Sequence, residues 1–478
     1  MRGQQLADTA VKRRGGLDGY FHITERGSTV RTEVIAGLTT FMTMAYILFL
    51  NPIILNTLPD RNGLQLSIPQ VLTVTALAAG ITTLAMGAYA NYPFAIAAGL
   101  GLNAVVTFQL VGAYQLTWPE AMGIVVLEGL IILVLVLTKF RQAVMEAVPL
   151  PLKLAIGAGI GLFITIIGFV DAGFVTSTSL PVPPLQLGTG NELRGWPILV
   201  FVVGLLLIIF LYTRGVKGSL LIGILAATIL AVIVNEAFMD GEGFGSAANF
   251  GSVVDIPSAD NFSLIGDFSL FGAFAQIGII STVLAIFTLM LSDFFDTMGT
   301  AIGLGREAGL LDAEGRLPDT DKVLLVDSAA AAVGGAFSAS SNTTFIESAA
   351  GIADGGRTGL TAIVVGVLFL LSVFLSPLAE MVPIQAAAPA LVIVGFLMLS
   401  VVREIPWDDL ELAIPAFLTI VLMPFTYSIT NGIGAGFVTF VFIKLARGKA
   451  GDVHPMMWVS SAAFVLYFGI FYVRDFLT

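Results

Sequence analysis

The chain has 478 residues, of which 56% are hydrophobic and 12% are charged, and its formal net charge is −11. Soluble domains average about 25% charged residues, so this composition excludes an ordinary soluble protein and indicates one that crosses a membrane repeatedly. The sequence contains no cysteine, which excludes disulfide bonds.

Apolar segments long enough to cross a hydrocarbon core of about 30 Å follow a polar, basic N-terminal segment, 1–32. We expect no cleavable signal peptide there, so the first apolar segment should remain as a membrane helix. Seven segments lie in the first half, at about 33–53, 69–90, 97–113, 119–138, 148–170, 195–213 and 217–235. Seven lie in the second half, at about 272–302, 322–337, 343–354, 358–377, 386–402, 408–427 and 430–446, and one more follows at about 455–473.

The positions of Lys and Arg test this segmentation, because cytoplasmic loops of membrane proteins are enriched in basic residues. With a cytoplasmic N-terminus and alternating crossings, all of the 22 basic residues except Arg61, Arg194 and Arg474 fall on the cytoplasmic side. The longest external loop, about 236–271, contains acidic residues and no basic one. The sequence therefore predicts a multi-pass protein of the plasma (inner) membrane with its N-terminus in the cytoplasm.

A weak internal repeat relates the two halves of the chain. Glu146-Ala-Val-Pro149 opens the fifth segment and Glu380-Met-Val-Pro383 opens the twelfth. Because seven is an odd number, two such halves must cross the membrane in opposite orientations, an architecture common among secondary transporters. The alternative is that two helices starting at proline match by chance.

The third and tenth segments are interrupted. In the third, Gly99 and Gly101 precede Asn103, and the tenth, 336–351, is too polar and too short to span as one helix. Irregular backbone at membrane depth occurs only where it is buried in protein or lines a cavity. Interruptions at corresponding places in the two halves predict a transporter's binding site.

Glu347, near the start of the helical part of the tenth segment, is the strongest candidate for a functional residue. An ionisable side chain inside a membrane is costly and indicates function by default. The alternative is structural, since Thr344-Phe-Ile-Glu347 fits a capping box in which Glu347 only reaches back to the Thr344 backbone.

Asp293, Asp296 and Thr297 lie on one face of the eighth segment, because they are three and four residues apart. Two carboxylates on one face can divide the work between binding a polar ligand and holding a proton. The alternative is that the apolar residues 271–291 already span the bilayer, which would leave both aspartates solvated at the cytoplasmic end of the helix.

Other polar residues give weaker signals. Asn103 could cap the half-helix of the third segment or offer its amide to a ligand, and Thr43 and Tyr46 of the first segment could line a pocket. The sequence has no nucleotide-binding loop, no cysteine cluster and no His pair at metal-binding spacing. We therefore expect no cofactor, no metal and no enzymatic activity, and transport that is either passive or driven by an ion gradient.

Four stretches resemble the nucleobase/ascorbate (xanthine/uracil permease) transporter family, in its hypoxanthine/guanine/adenine permease branch. They are 36–52, 98–104, Asp293-Phe-Phe-Asp-Thr-Met-Gly-Thr300, and Asn342-Thr-Thr-Phe-Ile-Glu-Ser-Ala-Ala-Gly351 continuing to 361. The last two are the more specific. The resemblance implies an all-helical membrane fold of fourteen helices in two inverted repeats of seven, with half-helices at the third and tenth positions. The segment at 455–473 lies beyond these fourteen helices and looks like an extra C-terminal helix specific to this branch.

The resemblance also implies a division into parts that move relative to each other like an elevator. A core domain would comprise 33–138 and 272–377, a gate domain would comprise 148–235 and 386–446, and the external loop 236–271 would connect them. Substrate would bind Asp293, Glu347, Asn103, Asp296, Thr297 and Ile346. Uracil-type members carry a His where this chain has Thr297. The residue that binds the coupling cation is therefore expected to be Glu347, Asp296 or Asp293.

The expected function is import of hypoxanthine, guanine or adenine, with a proton, or else sodium, as the coupling ion. Carboxylates can accept hydrogen bonds from purine N–H groups, and backbone N–H groups at a half-helix start can serve purine acceptors. The expected partners are the purine, the ion, the lipid bilayer and a second copy of the chain, with no nucleic acid. The main alternative is an anion or other small-solute transporter of the same fold; an intramembrane enzyme with paired aspartates is the third.

Overall fold

The computed structural model describes residues 16–138, 147–178, 184–244, 247–249, 251–312 and 317–477, without the side chains of residues 295, 296, 298, 299, 302 and 470–477. In the first half, short helix α1 (Leu17–Phe21) precedes the apolar elements. These are α2 (Val30–Met44), α3 (Ile47–Asn56), α4 (Ile68–Ala85), β1 (Ile96–Ala98), α5 (Leu100–Ala104), α6 (Trp118–Leu137), α7 (Leu150–Asp171), α8 (Trp196–Thr213) and α9 (Ser219–Phe238), with strands β2 (Val175–Ser177) and β3 (Leu185–Leu187) between α7 and α8. π-helical turns extend α4 over Met86–Ala90 and α5 over Val105–Ala113.

The second half repeats this order. Its elements are α10 (Gly272–Glu307), α11 (Thr320–Ala336), β4 (Asn342–Thr344), α12 (Ser348–Ala353), α13 (Gly359–Leu371), α14 (Ser376–Glu380), α15 (Ile384–Leu399), α16 (Leu410–Thr426) and α17 (Ile429–Ala446), followed by α18 (Pro455–Leu477). Within the described residues, ten helical spans are long and apolar enough to cross a membrane. The predicted fold class is confirmed, including the half-helices at the third and tenth positions and the extra C-terminal helix.

Two short strands meet where the interrupted segments cross. β1 pairs with β4 in antiparallel register, with Ile96 opposite Thr344 and Ala98 opposite Asn342. The pairing continues as the Gly99 N–H donates to the Ser341 carbonyl at 2.9 Å. Both strands are buried, so these hydrogen bonds satisfy backbone groups that lipid could not satisfy. Half-helices α5 and α12 begin just beyond the strands.

The helices pack as two groups. In one, α6 packs on α10 and α11, and α13 packs on α2 and α4; in the other, α7 packs on α15 and α16, α16 packs on α17, and α8 packs on α9. Glycine permits close approach of α6 and α11, since a Cβ added at Gly129 of α6 would lie 2.3 Å from the Ala332 nitrogen of α11. Small residues at such crossings are typical of membrane helix pairs.

Helix α18 packs mainly on α17 and also touches α10. Phe464 of α18 lies edge-on to Phe437 of α17, with the ring centroids 6.0 Å apart. The Tyr467 hydroxyl lies 2.8 Å from the hydroxyl of Tyr114, which follows the third segment. The extra helix therefore contacts both groups of helices.

Candidate functional site

A cavity of about 970 Å³ lies between the two groups of helices. Its wall includes Gly99 and Gly101 at the start of α5, and Ile346 and Glu347 at the start of α12. The opposite wall comes from α7 and α15, and its mouth is lined by Lys153, Lys217 and Glu404 among others. The interruptions predicted from sequence thus do face a cavity.

Glu347 lies on this wall and is only partly exposed. Its carboxylate accepts a short hydrogen bond from the hydroxyl of Tyr46, a side chain that is 1% exposed. The Thr43 hydroxyl lies 3.3 Å from the Glu347 carbonyl oxygen. Residues of the first segment therefore hold Glu347 in place.

The capping-box interpretation of Glu347 is wrong. Glu347 itself occupies the N-cap position of α12 and its side chain makes no capping bond. The Thr344 hydroxyl and N–H instead donate to Oδ1 of Asp327, at 2.7 and 2.9 Å. Thr344 ends strand β4, so the helix begins three residues later than the motif implies. The Glu347 side chain therefore faces the cavity.

Asp293 is 1% exposed, so the interpretation of this residue as a solvated charge at a helix end is also wrong. Helix α10 continues past Asp293 to Glu307 and packs on α6, and the backbone at Gly278, where φ is 80° and ψ is 167°, interrupts it only near its start. The continuous part of the helix begins after that residue. At 1.5 Å per residue, Asp293 then lies about 20 Å from each end of this continuous helical stretch.

Asp293 does not line the cavity, although its neighbour Ser292 and Thr300 do. Its carboxyl group lies beside that of Glu128, from α6. Glu128 is fully buried and accepts a hydrogen bond from the Ser341 hydroxyl at 3.2 Å. Two acidic side chains therefore meet behind the cavity wall.

Thr297, one turn beyond Asp293, is buried and hydrogen-bonded to other side chains of the protein. Its hydroxyl donates to Oδ2 of Asp327 at 2.6 Å and lies 2.7 Å from the Thr343 hydroxyl of β4. Asp327 thus binds both α10 and the strand crossing. The side chain of Asp296, the other predicted member of this face, lies outside the described residues.

Asn103 does not cap the half-helix, because Gly99 occupies the N-cap position of α5 and Asn103 lies four residues further on. It is fully buried, and neither amide atom has a hydrogen-bond partner among the described residues. Ile346, by contrast, is 51% exposed and faces the cavity. Of the predicted site residues, then, Ile346 and Glu347 line the cavity, while Asn103, Asp293 and Thr297 lie behind its wall.

Sequence reasoning missed Glu128 and Asp327. Both are acidic residues in the middle of apolar segments, which is the signal that drew attention to Glu347. They stand apart from recognisable motifs, so the signal was present but passed over. The Tyr46–Glu347 contact joins residues 301 apart in sequence and had no sequence signal linking the pair.

Residues 31–435 match the sequence model of a permease family, the xanthine/uracil permeases. The chain belongs to this family. The permease is 38% identical to the guanine/hypoxanthine permease PbuG of Bacillus subtilis, covering 94% of this chain and 98% of that protein. It is also 38% identical to the adenine permease AdeP of Escherichia coli, over 96% and 97% of the two chains. It is therefore a membrane transport protein and not an enzyme.

Solved structures support the fold. The transmembrane domain of the cyanobacterial bicarbonate transporter BicA superposes with a TM-score of 0.61 at 13% identity, covering 85% of the permease and 97% of that chain. The murine anion transporter Slc26a9 gives a TM-score of 0.57 at 10% identity, over 87% and 68% of the two chains. At such low identity these matches concern the inverted-repeat fold alone.

Proposed function

We propose that this permease transports purine nucleobases through the cavity between half-helices α5 and α12. The observation that carries the proposal is the Glu347 carboxylate on the cavity wall, held by Tyr46. Relatives named as guanine/hypoxanthine and adenine permeases, similar over nearly their whole length, support the choice of substrate class.

The wall offers the groups that a purine needs. The Glu347 carboxylate can accept hydrogen bonds from ring or exocyclic N–H groups, and such charge-assisted bonds are stronger than neutral ones. The hydroxyls of Ser292 and Thr300, also on the wall, can donate to ring nitrogens or a carbonyl oxygen. Ile346 and apolar residues of the opposite wall, such as Ile160 and Met398, suit the faces of a flat ring. Asn103, Asp293 and Thr297 support this wall from behind, and we retain Asp296 as a member of the site on the resemblance alone.

Movement of the two helix groups past each other would carry the site across the membrane. We assign 33–138 and 272–377 to the moving core and 148–235 and 386–446 to the gate, with 236–271 between them. The cavity mouth carries Lys153 and Lys217, which the distribution of basic residues puts on the cytoplasmic side. We place the permease in the plasma membrane with its N-terminus in the cytoplasm. In that orientation the cavity opens toward the cytoplasm, so the structure corresponds to an inward-open state. We propose a proton as the coupling ion, and pairing of two copies through the gate.

Uptake into proteoliposomes tests the proposal. Labelled hypoxanthine, guanine and adenine should accumulate when an inward proton gradient is imposed, and a sodium gradient at constant pH should not replace it. Excess unlabelled purine should compete, whereas uracil, chloride and bicarbonate should not. Purine uptake that survives in a Glu347→Gln, Asp293→Asn double variant would contradict the site, and competition by bicarbonate would favour an anion transporter.

A further inference from the structure

We propose that Glu128 and Asp293 share one proton, and that this pair takes up and releases the proton that drives transport. The inference rests on the proposed function, which it extends by naming the site of the coupling ion. Glu128 belongs to no motif that resembles the family, and it does not touch the cavity.

The geometry at Glu128 is that of a buried acid with one oxygen uncommitted. The side chain is 0% exposed. Oε2 accepts from the Ser341 hydroxyl, while Oε1 has no hydrogen-bond partner among the described residues. The Asp293 carboxyl lies beside it. A proton placed between the two carboxyl groups would give Glu128 the missing hydrogen bond.

Among the described residues, the elements packed on α6 place no basic side chain beside Glu128. Helix α6 carries no Lys, Arg or His, and it packs on α10, α11 and the π-helical extension of α5. The last of these has no charged residue. Each of the other two carries one basic residue near an end: Arg306, about 20 Å along α10 from Asp293, and Lys322, which pairs with Asp319. Asp327 of α11 also faces Glu128 and is acidic, and the other charged residues of α10 and α11, Asp296, Glu307 and Asp321, are acidic too.

Two adjacent carboxylates in such a place cannot both be ionised at moderate cost. Burying an unpaired charge is costly, two like charges at close range repel strongly in a low-dielectric interior, and a shared proton removes both penalties. The pair therefore titrates as a unit, and its proton belongs to neither residue alone.

The pair is connected to the substrate wall on two sides. Asp293 directly follows Ser292, which lines the cavity. Ser341, the partner of Glu128, offers its carbonyl to the Gly99 N–H, which begins half-helix α5. Loss of the proton would leave two negative charges side by side. Their repulsion would push apart the elements that carry or contact them, which are α10 and the strand crossing. Proton occupancy and purine binding are coupled through these elements.

The test compares Glu128→Gln with the wild type in proteoliposomes containing a pH-sensitive dye. Glutamine keeps the size of the side chain and a hydrogen bond to Ser341, but it cannot exchange a proton. We expect exchange of labelled for unlabelled hypoxanthine to continue near the wild-type rate. Accumulation driven by a proton gradient should fall about tenfold or more, and hypoxanthine-induced proton entry should disappear. The rise in the wild-type Kd for hypoxanthine with increasing pH should flatten in the variant.

Glu120→Gln is the matched control, because Glu120 lies in the same helix but pairs with Arg61 at the helix start. It should keep coupled uptake. Glu128→Asp, which retains an acid, should restore part of the proton entry that the glutamine variant loses. If the glutamine variant folds poorly, the aspartate variant still tests whether an acid at this position is needed for proton entry. Wild-type proton entry in the Glu128→Gln variant would overturn the inference and leave purine transport intact. A wild-type protein that binds no purine would overturn the proposed function itself.

Discussion

Glu347 and Asp293 are the two carboxylates that the motifs emphasise most, and the fold places them in different settings. Glu347 stands at the break between strand β4 and half-helix α12, where its side chain reaches the cavity and meets Tyr46. Asp293 lies in the middle of an unbroken stretch of α10 and contacts another acid, Glu128, behind the wall. One carboxylate can meet a ligand directly, whereas the other acts through its neighbours unless the wall moves.

The difference follows from the backbone. A helix start leaves N–H groups and a side chain outside the regular ladder, so a residue there can face a cavity. A residue in the middle of a long helix faces whatever packs on that side, which here is α6. We therefore expect substitutions at the two places to separate binding from coupling.

Replacement of Glu347 should have the largest effect on binding. In Glu347→Gln the charge-assisted acceptor is lost while the shape is kept, and a hydrogen bond to a charged group contributes about 1.5–3 kcal/mol. Affinity for hypoxanthine should fall about 10- to 100-fold, measured by competition in equilibrium binding. Glu404→Gln, at the cavity mouth, is the control and should bind normally. Equal loss in both variants would mean that the carboxylate has no direct contact with the base.

Asp327→Asn should affect both places, because Asp327 accepts bonds from Thr297 of α10 and Thr344 of β4. Removing a buried acceptor of this kind costs about 1–3 kcal/mol. We expect a lower Tm in detergent and a weaker response of the Tm to added purine. Asp319→Asn, at an exposed aspartate in the N-cap position of α11, should change neither. If the variant has a normal Tm and a normal response to purine, the contacts of Asp327 with Thr297 and Thr344 do not support the binding site.

Tyr46→Phe should have a moderate effect confined to the Glu347 side. The variant removes the hydroxyl that donates to Glu347 and keeps the packed ring. Affinity should fall about 3- to 10-fold, as expected for one hydrogen bond, with the coupling to protons unchanged. The measurement is hypoxanthine Kd beside proton entry per purine. Loss of coupling instead of affinity would place the proton on Glu347 rather than on the Glu128–Asp293 pair.

The smallest expected effect concerns an ion pair at the cavity mouth. Lys217, between α8 and α9, pairs with Asp354, which also accepts from Thr39 of α2 at 2.6 Å. These contacts lower the pKa of the Asp354 carboxyl, with the hydrogen bond from Lys217 as the main cause. The pair's stabilisation is therefore complete above the ordinary aspartate pKa and is lost as the pH falls through the lowered value.

Asp354→Asn should thus lower the Tm slightly at neutral pH, and the difference from wild type should vanish in acid. The effect is small because the Lys217 side chain is half exposed and the Asp354 side chain is 24% exposed, so solvent screens the pair. Thermal unfolding in detergent across a pH series measures it. If the Tm difference between the variant and the wild type grew as the pH fell, the predicted pH dependence of the ion pair would be wrong. Because the pair joins the two helix groups, the same variant should leave purine affinity unchanged while altering the rate of exchange.

Much of this protein follows from its sequence alone. The lengths of the apolar segments, the interruptions of the third and tenth segments and the extra C-terminal helix all depend on local properties of the chain, namely hydropathy, glycine and polar residues in short runs. Glu347 was identifiable for the same reason, since a charge in an apolar segment is visible without knowledge of its neighbours.

The tertiary structure decided the rest, because it depends on which segments pack together. Helix α10 continues to Glu307 and packs on α6, which buries Asp293, and the apolar residues before it give no warning of this. Glu128 meets Asp293, and Asp327 joins Thr297 to Thr344, only because α6, α10, α11 and β4 come together from distant parts of the chain. Hydropathy determined where the chain crosses the membrane; packing between the crossings decided which acids face the cavity and which face one another.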